Sequence, residues 1–290
     1  MSSGDFVLLG RDLVPRSEAR VSPLDRAFLY GDGFFETTRV VDGVALFMDR
    51  HLDRLADSCR AAGFDQQPDA ADLADDLAEL IAANGLSEGY LRLTVTRGLH
   101  GGLLTETAGP PTVFAEARPA DLPPLDASPG ITLAISPYRL CEDSAAAGHK
   151  SLSYQANLLA LAEARSRGAD DGLLLNSADD LCECTISNVF LVRDGRVLTP
   201  AQSCGPLPGV TRAVVLELCR ELGLHAEEGR FGIDELEAAE EVFCTNSLRG
   251  IMPVCEVVGI CPGLPSPGAA TARLQAAYAG EALRWCRARR

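Results

Sequence analysis

The single lysine of the chain, Lys150, is the residue whose type points most directly to chemistry. The sequence has 290 residues and 26 lysines and arginines, and every basic residue except Lys150 is an arginine. A guanidinium stays protonated in proteins, whereas an amine can lose its proton and attack a carbonyl carbon. A bias towards arginine can also follow from genomic base composition, in which case Lys150 is a surface residue without a task. The residue type alone therefore leaves a Schiff-base lysine and a surface lysine both open.

A carboxylate in an apolar segment is the second candidate. Glu183 lies in LCECTISNVFLV, and strand alternation predicts that it shares a face with Leu181 and Thr185. Glu183 then lies either at a solvent-exposed edge or buried opposite a cation, because an unpaired buried charge is too costly.

Three further segments could together hold a phosphate. LPGVTRAVV begins a helix after a Pro-Gly turn, so the amides of Val210 and Thr211 at its N-terminus could bind an anion. Ser247, in TNSLRG, could donate a hydrogen bond, and Arg54, in HLDRL, could add a positive charge. Each also has a plain structural interpretation as a helix start, a turn residue or a solvated helix arginine. With Lys150 and Glu183, these residues make the set that pyridoxal phosphate needs.

Composition excludes several classes of partner. The net charge of −15 argues against a nucleic-acid-binding surface. No apolar run approaches the roughly 18 residues of a membrane span, and the start MSSGDFVLLGRDLVPR lacks the basic region and apolar core of a signal peptide. We therefore expect a cytoplasmic protein with no membrane partner. The ten cysteines form no CxxC pair and there are four histidines, so their spacing predicts free thiols and no metal site.

The predicted helices and strands that position these residues form two groups. A stretch rich in proline and alanine, RPADLPPLDASPG, lies between the two groups. We expect a small α+β domain over residues 1–118, a linker over 119–130 and a larger domain over 131–290. In the first domain, FFETTRVVDGVALF predicts a hairpin through Asp42-Gly43. RHLDRLADSCRAAG predicts a helix with Leu52, Leu55 and Cys59 on one face. Strands clustered with a few helices, without strict βαβ alternation, predict the α+β class.

The chain resembles the fold-type IV pyridoxal phosphate enzymes over nearly its whole length. The motifs that carry the resemblance occur in the order of the family: YGDGFFETTRV, RHLDRL, GHKSLSYQANLLA, ECTISNVFLV, LPGVTR and TNSLRGIMPV. The family includes branched-chain aminotransferases, D-amino-acid aminotransferases and aminodeoxychorismate lyases. The resemblance implies a small α/β domain at the N-terminus and a larger pseudo-barrel domain, with the cofactor between them. It also implies a homodimer in which the small domain of one subunit helps to cover the other's site.

The resemblance assigns roles residue by residue. It implies that Lys150 forms the imine with the cofactor and then acts as the general base and acid, and that Glu183 partners the pyridine nitrogen. Tyr154 lies where the family has a tyrosine near the phenolic oxygen of the cofactor. The residues that match the phosphate contacts of the family are Arg54, Val210, Thr211 and Ser247.

The resemblance leaves three functions open. GDGFFETTRV, GITLAISPYRL and TNSLRGIMPV favour an aminodeoxychorismate lyase that gives 4-aminobenzoate and pyruvate for folate synthesis. Such lyases often carry a Gly-Gly-Arg-Gly-Tyr-like loop after VTRG, and this chain has LHGGLLTETAG instead, so Tyr30, Arg97 and Arg249 are the candidate substrate ligands. The alternative is an aminotransferase, although the arginine-and-histidine trap of the D-amino-acid type is not evident and the FEG of the branched-chain type is FET here. The third is a non-catalytic protein that binds pyridoxal phosphate.

Overall fold

The computed structural model describes residues 4–104 and 106–289. The chain divides into two compact units. The first contains Met1–Leu122, His149–Ser153 and Arg284–Arg290, and the second contains Pro123–Gly148 and Tyr154–Leu283. The first boundary falls inside the stretch expected to be a linker. The segment that carries Lys150 belongs to the first unit, which differs from the expected division at residue 131.

The first unit is an antiparallel sheet with helices packed on it. Its strands are β1 (Phe6–Leu9), β2 (Asp12–Pro15), β3 (Gly33–Val41), β4 (Val44–Ala45), β5 (Gly89–Thr96), β6 (Leu99–His100), β7 (Thr107–Ala108) and β8 (Val113–Arg118). Its helices are α1 (Arg26–Tyr30), α2 (Met48–Ala61) and α3 (Ala70–Ala83). The main sheet has the order β2-β1-β8-β5-β3-β4, and β6 and β7 form a separate ribbon.

Two local predictions for the first unit are confirmed. Strands β3 and β4 form the expected hairpin, and Asp42 and Gly43 both have the positive φ angles, 53° and 80°, that a tight hairpin turn requires. Leu52, Leu55 and Cys59 of α2 are all buried in one core with apolar residues of the sheet. Because this apolar face packs in the core, the orientation of the whole helix is fixed. The opposite face, which carries Arg54, is therefore fixed as well.

The second unit is built on a mixed sheet. Its strands are β9 (Ile131–Leu140), β10 (Asp171–Asn176), β11 (Leu181–Cys184), β12 (Asn188–Arg193), β13 (Arg196–Pro200), β14 (His225–Gly229), β15 (Glu241–Asn246) and β16 (Gly250–Val257). The helices are α4 (Gln155–Ser166), α5 (Val210–Glu221), α6 (Ile233–Glu237) and α7 (Ala269–Arg287), whose last residues count with the first unit. The strand order is β11-β10-β9-β16-β15-β12-β13-β14. Among the described residues, no helix is long and apolar enough to cross a membrane.

A β-bulge in β11 overturns the predicted facing of Glu183. Leu181 pairs with Leu175 and Glu183 pairs with Leu174, so Cys182 is the extra residue on β11. Leu181 and Cys184 consequently lie in the same apolar core. The prediction that Glu183 shares a face with Leu181 was wrong, because strict alternation does not hold across a bulge.

Candidate functional site

In the first unit, Lys150 is held next to strand β3 by backbone hydrogen bonds. The amide of Phe35 donates to the Lys150 carbonyl at 3.0 Å, and the amide of Leu152 donates to the Gly33 carbonyl at 2.9 Å. The Nζ atom of Lys150 lies 4.5 Å from the centroid of the Phe35 ring. The backbone pairing therefore fixes the start of the lysine side chain, and an aromatic face holds its end.

The same ring carries a second cation that the sequence analysis missed. The Cζ atom of Arg92, on β5, lies 4.0 Å from the centroid of Phe35. The amine of Lys150 and the guanidinium of Arg92 thus contact one side chain. The signal in the sequence was an arginine at the middle of the otherwise apolar and threonine-rich GYLRLTVT strand.

Arg54 lies in a buried network with a carboxylate and a histidine. Its Nε donates to Oε1 of Glu36 at 2.9 Å, a terminal guanidinium nitrogen donates to Oε2, and Nδ1 of His51 lies 2.6 Å from Oε2. Glu36 and His51 are each 1% exposed. Glu36 on β3 therefore fixes the plane of the Arg54 guanidinium on α2. The sequence analysis identified Arg54 but neither of its partners.

The charges of this network follow from burial and contact. Burial alone would raise the pKa of Glu36, but the charge of Arg54 and the hydrogen bond with His51 lower it to about 2. Burial lowers the pKa of His51 below its ordinary value, and the charges of Arg54 and Lys150 act in the same direction. At neutral pH His51 is therefore uncharged, and because Glu36 can only accept, the proton of the imidazole is on Nδ1.

The structure gives Arg97 a role in the fold. Its side chain donates to Oδ2 of Asp32 at 2.9 Å and to the carbonyls of Ala62 and Gly63 at 2.8 and 2.9 Å, just beyond the end of α2. These bonds tie the end of α2 to the turn before β3. The role of Arg97 as a substrate ligand stays a prediction.

Tyr30 lies at the end of α1 and is 45% exposed. Its ring meets the His100 ring edge-on at 5.8 Å between centroids, and the Arg26 guanidinium lies over it. An exposed ring that lies between the imidazole of His100 and the guanidinium of Arg26 is compatible with contact to an anionic ligand. Tyr30 stays a predicted substrate ligand.

In the second unit, the first turn of α5 has no side-chain cap. Gly209 occupies the N-cap position, and no side chain caps the helix there. Thr211 is 2% exposed, and its Oγ1 has no hydrogen-bond partner among the described residues. A Cβ on Gly209 would lie 2.0 Å from Oδ1 of Asn188, so only glycine allows this approach. A buried, unsatisfied hydroxyl at an uncapped helix N-terminus is a site for an anion.

Glu183 is tied to the segment that leads into α5. Its Oε2 accepts from the amide of Leu207 at 2.9 Å, while Nδ2 of Asn188 donates to the Leu207 carbonyl at 2.9 Å. Asn188 also fills the space that a side chain at position 209 would need. Glu183, Val210 and Thr211, predicted from separate motifs, are therefore linked through two connecting residues.

Tyr154 and Ser247 lie in two other parts of the second unit. The hydroxyl of Tyr154 donates to the carbonyl of Thr185 at 2.9 Å. Ser247 and Arg249 lie in the turn between β15 and β16, where Oδ1 of Asn246 accepts from the amide of Arg249 at 2.9 Å. This turn confirms the predicted loop. The roles of Tyr154, Ser247 and Arg249 towards a ligand stay predictions.

The comparisons with known proteins agree on one family. The model of the family described as amino-transferase class IV matches residues 33–257. A Methanocaldococcus jannaschii protein with the provisional name branched-chain-amino-acid aminotransferase is 34% identical over 96% of this chain and 97% of its own length. The D-alanine aminotransferase of Bacillus licheniformis is 31% identical over 96% and 97%. The aminodeoxychorismate lyase of Bacillus subtilis is 30% identical over 91% and 90%.

Solved structures show the same mixture of activities. The crystal structure of the branched-chain amino acid aminotransferase of Escherichia coli has a TM-score of 0.90 and 29% identity, covering 96% of this chain and 95% of that one. The 4-amino-4-deoxychorismate lyase of Pseudomonas aeruginosa has a TM-score of 0.80 and 31% identity, covering 93% and 97%. These matches confirm the predicted α+β fold.

Proposed function

Because the chain belongs to the amino-transferase class IV family, we propose that it is an aminotransferase that moves the amino group of an amino acid to a 2-oxo acid. The enzymes of this family depend on pyridoxal phosphate, and this chain is such an enzyme. Its fold is that of the fold-type IV enzymes, as expected. The sequence analysis favoured the lyase, whereas the comparisons favour the aminotransferase, since both aminotransferase relatives match more of the chain.

The residues of the second unit fit a phosphate, and one observation carries this argument. Among the residues that the structure describes, the buried Thr211 hydroxyl has no partner at an uncapped helix N-terminus, and leaving a buried polar group unsatisfied costs about 1–3 kcal/mol. A bound phosphate would satisfy this hydroxyl and the free amides of the first turn. In this unit we propose Val210, Thr211 and Ser247 as phosphate ligands. Arg54, in the first unit, stays a proposed phosphate ligand on the sequence motif alone.

When bound, pyridoxal phosphate supplies a ring that accepts the electrons released from a bond at the amino carbon. In our proposal Lys150 attaches the cofactor and then moves a proton at that carbon, which an arginine could not do. Glu183 holds a proton on the pyridine nitrogen, and its bond from Leu207 sets the position of its carboxylate. We propose Arg92 as a ligand of the substrate carboxylate, since its guanidinium lies on the ring that also faces Lys150.

We also propose that the protein is a homodimer. Phe28 is 77% exposed, and Leu103 and Leu104 are 65% and 64% exposed, all in the first unit. Large exposed apolar side chains of this kind are typical of a surface that another subunit covers. The cytoplasmic location stays a prediction from the sequence.

The phosphate site is tested by Thr211→Val in cofactor-free protein. Because its hydroxyl makes no hydrogen bond within the described part of the chain, the substitution should leave the free energy of unfolding unchanged or raise it. Loss of a hydrogen bond to a charged group should weaken pyridoxal phosphate binding about tenfold or more, and leave binding of unphosphorylated pyridoxal unchanged. The matched control is Thr199→Val, since the equally buried Thr199 hydroxyl donates to the Val189 carbonyl at 2.9 Å. This control should lose stability and keep its affinity. Equal weakening of both ligands in Thr211→Val would refute the assignment.

The lyase remains the second candidate, because the Bacillus subtilis lyase is 30% identical over 91% of the chain. One pair of assays separates the two reactions. The purified enzyme is given aminodeoxychorismate with detection of pyruvate, and separately a panel of L- and D-amino acids with 2-oxoglutarate. Transfer to 2-oxoglutarate without pyruvate release from aminodeoxychorismate is the expected result, and the reverse would establish the lyase.

A further inference from the structure

A buried carboxylate with neutral partners lies beside the segment that carries Glu183. Asp171, the first residue of β10, is 2% exposed. Its Oδ1 accepts from the amides of Gly172 and Thr185 at 2.8 and 3.1 Å and from the Thr185 hydroxyl, and its Oδ2 accepts from the Ser187 hydroxyl at 2.8 Å. All four of these donors are neutral. Such a carboxylate acts by positioning its neighbours, because each of its oxygens fixes the place of the groups that donate hydrogen bonds to it.

The four bonds clamp a short connection. Strand β11 ends at Cys184 and β12 begins at Asn188, so residues 185–187 are the whole link between them. One oxygen of Asp171 holds the first residue of this link and the other oxygen holds the last. Glu183 and Asn188, which both contact the segment before α5, flank the link on its two sides.

The clamp also fixes a carbonyl that holds a predicted cofactor ligand. The carbonyl of Thr185 accepts from the Tyr154 hydroxyl at 2.9 Å and from Nδ2 of Asn157 at 3.0 Å. A phenol has one proton, and here that proton points at Thr185. The lone pairs of the Tyr154 oxygen are therefore presented to whatever group lies on its other side. The position of the Thr185 carbonyl thus contributes to the orientation of the Tyr154 hydroxyl.

We propose that Asp171 is a positioning residue of the cofactor site, which acts through Thr185 on Tyr154. The inference rests on the proposed function to the extent that Tyr154 contacts pyridoxal phosphate. It requires lone pairs at the position of residue 171 and does not require a charge there. Asparagine can keep the three bonds at Oδ1, and its amide can donate to a Ser187 hydroxyl that has turned to accept. Burial raises the pKa of Asp171, while the hydrogen bonds from Thr185, Ser187 and Gly172 act in the opposite direction.

The test measures pyridoxal phosphate and pyridoxal affinity of the full-length, cofactor-free protein by equilibrium dialysis. Asp171→Ala should weaken both ligands by the same factor, about tenfold, because Tyr154 is expected to touch the ring and not the phosphate. Asp171→Asn should restore most of the loss. Thr185→Val removes one clamp bond with little change of volume, and it tests the same idea if Asp171→Ala does not fold.

A double-mutant cycle with Tyr154→Phe separates positioning from general destabilisation. If Asp171 acts through the Tyr154 hydroxyl, Asp171→Ala or Thr185→Val should add little to the loss of affinity in Tyr154→Phe. The matched control is Glu241→Ala, because Glu241 is also buried and, like Asp171, accepts from neutral donors, which are the amides of Ala270 and Thr271 and the Thr271 hydroxyl. It should lower stability comparably and leave affinity unchanged in either background.

Two results would overturn the inference. One is a loss of affinity that multiplies with that of Tyr154→Phe, and the other is a Glu241→Ala variant as impaired in binding as Asp171→Ala. Affinity is measured because it does not depend on the reaction. If the wild type binds pyridoxal phosphate but transfers no amino group, the proposed reaction fails and the comparison of affinities still decides the role of Asp171.

Discussion

Replacing Arg54 by methionine should destabilise the protein most at neutral pH and least in acid. Methionine keeps the length of the side chain but leaves Glu36 buried without its cation. The carboxylate of Glu36 is 1% exposed, so water cannot replace the guanidinium. The effect on stability is therefore separate from any effect on phosphate binding, which the same arginine is proposed to serve.

The magnitude follows from the pKa of Glu36, which falls from an ordinary 4.5 to about 2. A drop of this size corresponds to about 3 kcal/mol of stability. Because the folded pKa is depressed, this contribution is present above the unfolded pKa and is lost as the pH falls from 4.5 through about 2. In Arg54→Met, burial instead raises the pKa of Glu36, so the variant regains stability as Glu36 takes up a proton.

Urea unfolding of the cofactor-free proteins measures this difference. Removing the cofactor matters because a variant that binds it weakly would lose stability by mass action alone. We expect wild type and Arg54→Met to differ by about 3–5 kcal/mol at neutral pH, and by clearly less at about pH 4. The double variant Glu36→Gln with Arg54→Met should be more stable than Arg54→Met at neutral pH, because it buries no charge.

Arg11→Met is the surface control. Arg11 pairs with Asp72 and Asp76, but its side chain is 59% exposed, so the substitution should change stability little at either pH. The reasoning is refuted if the deficit of Arg54→Met is the same at both pH values, or if the double variant is no more stable than the single one.

Three further outcomes are expected. Lys150→Arg should abolish covalent attachment of the cofactor, and borohydride reduction of the wild type followed by peptide mapping should place the label on Lys150, whereas a label only at the N-terminal amine would contradict the assignment. Glu183→Gln should lower kcat about a hundredfold while retaining cofactor, because the amide oxygen must stay towards Leu207 and the NH2 cannot accept from a protonated pyridine; near-normal turnover would argue against this role. Arg97→Met should lower the thermal midpoint and leave KM for the amino donor within about twofold, and a large rise in KM at unchanged stability would support Arg97 as a substrate ligand.

Local signals in the sequence were sufficient for the elements of the fold. The Asp-Gly pair predicted the β3–β4 hairpin because those residues accept positive φ, and the spacing of Leu52, Leu55 and Cys59 predicted the buried face of α2. The assignment of residues 149–153 to the first unit was not predictable in this way. It depends on backbone pairing of Lys150 and Leu152 with β3, more than a hundred residues earlier in the sequence.

The partners of the site residues were harder to predict than the residues themselves. Arg54 and Glu183 each lie in a recognisable motif, and a charged residue in an apolar segment indicates a candidate functional residue. Glu36 and His51 also lie in quoted motifs, YGDGFFETTRV and RHLDRL, but nothing in their spacing shows that they meet across a strand and a helix. Asp171 lies outside the quoted motifs, and only the packing of β10 against residues 185–187 gives it a role.

The bulge at Cys182 explains why the facing of Glu183 on β11 could not be derived from strand alternation. If Leu181, Cys182 and Glu183 were all regularly paired, Glu183 would share a face with Leu181, whose side chain is fully buried in the apolar core, and a carboxylate there would have no polar partner. With the bulge, Leu181 and Cys184 both enter the core, and Glu183 lies where it accepts from the amide of Leu207. In the sequence, the only sign of the bulge is that Glu183 stands between Cys182 and Cys184. Cysteine side chains are small enough to lie on either face of the strand. Deleting Cys182 should therefore remove the bulge and keep the pairing of Glu183 with Leu174, so Glu183 should stay on its present face and the protein should retain cofactor binding. Cys182→Ala, which keeps the bulge, should retain binding as well. Equilibrium dialysis of pyridoxal phosphate with both variants checks this, and loss of binding in the deletion variant alone would contradict it.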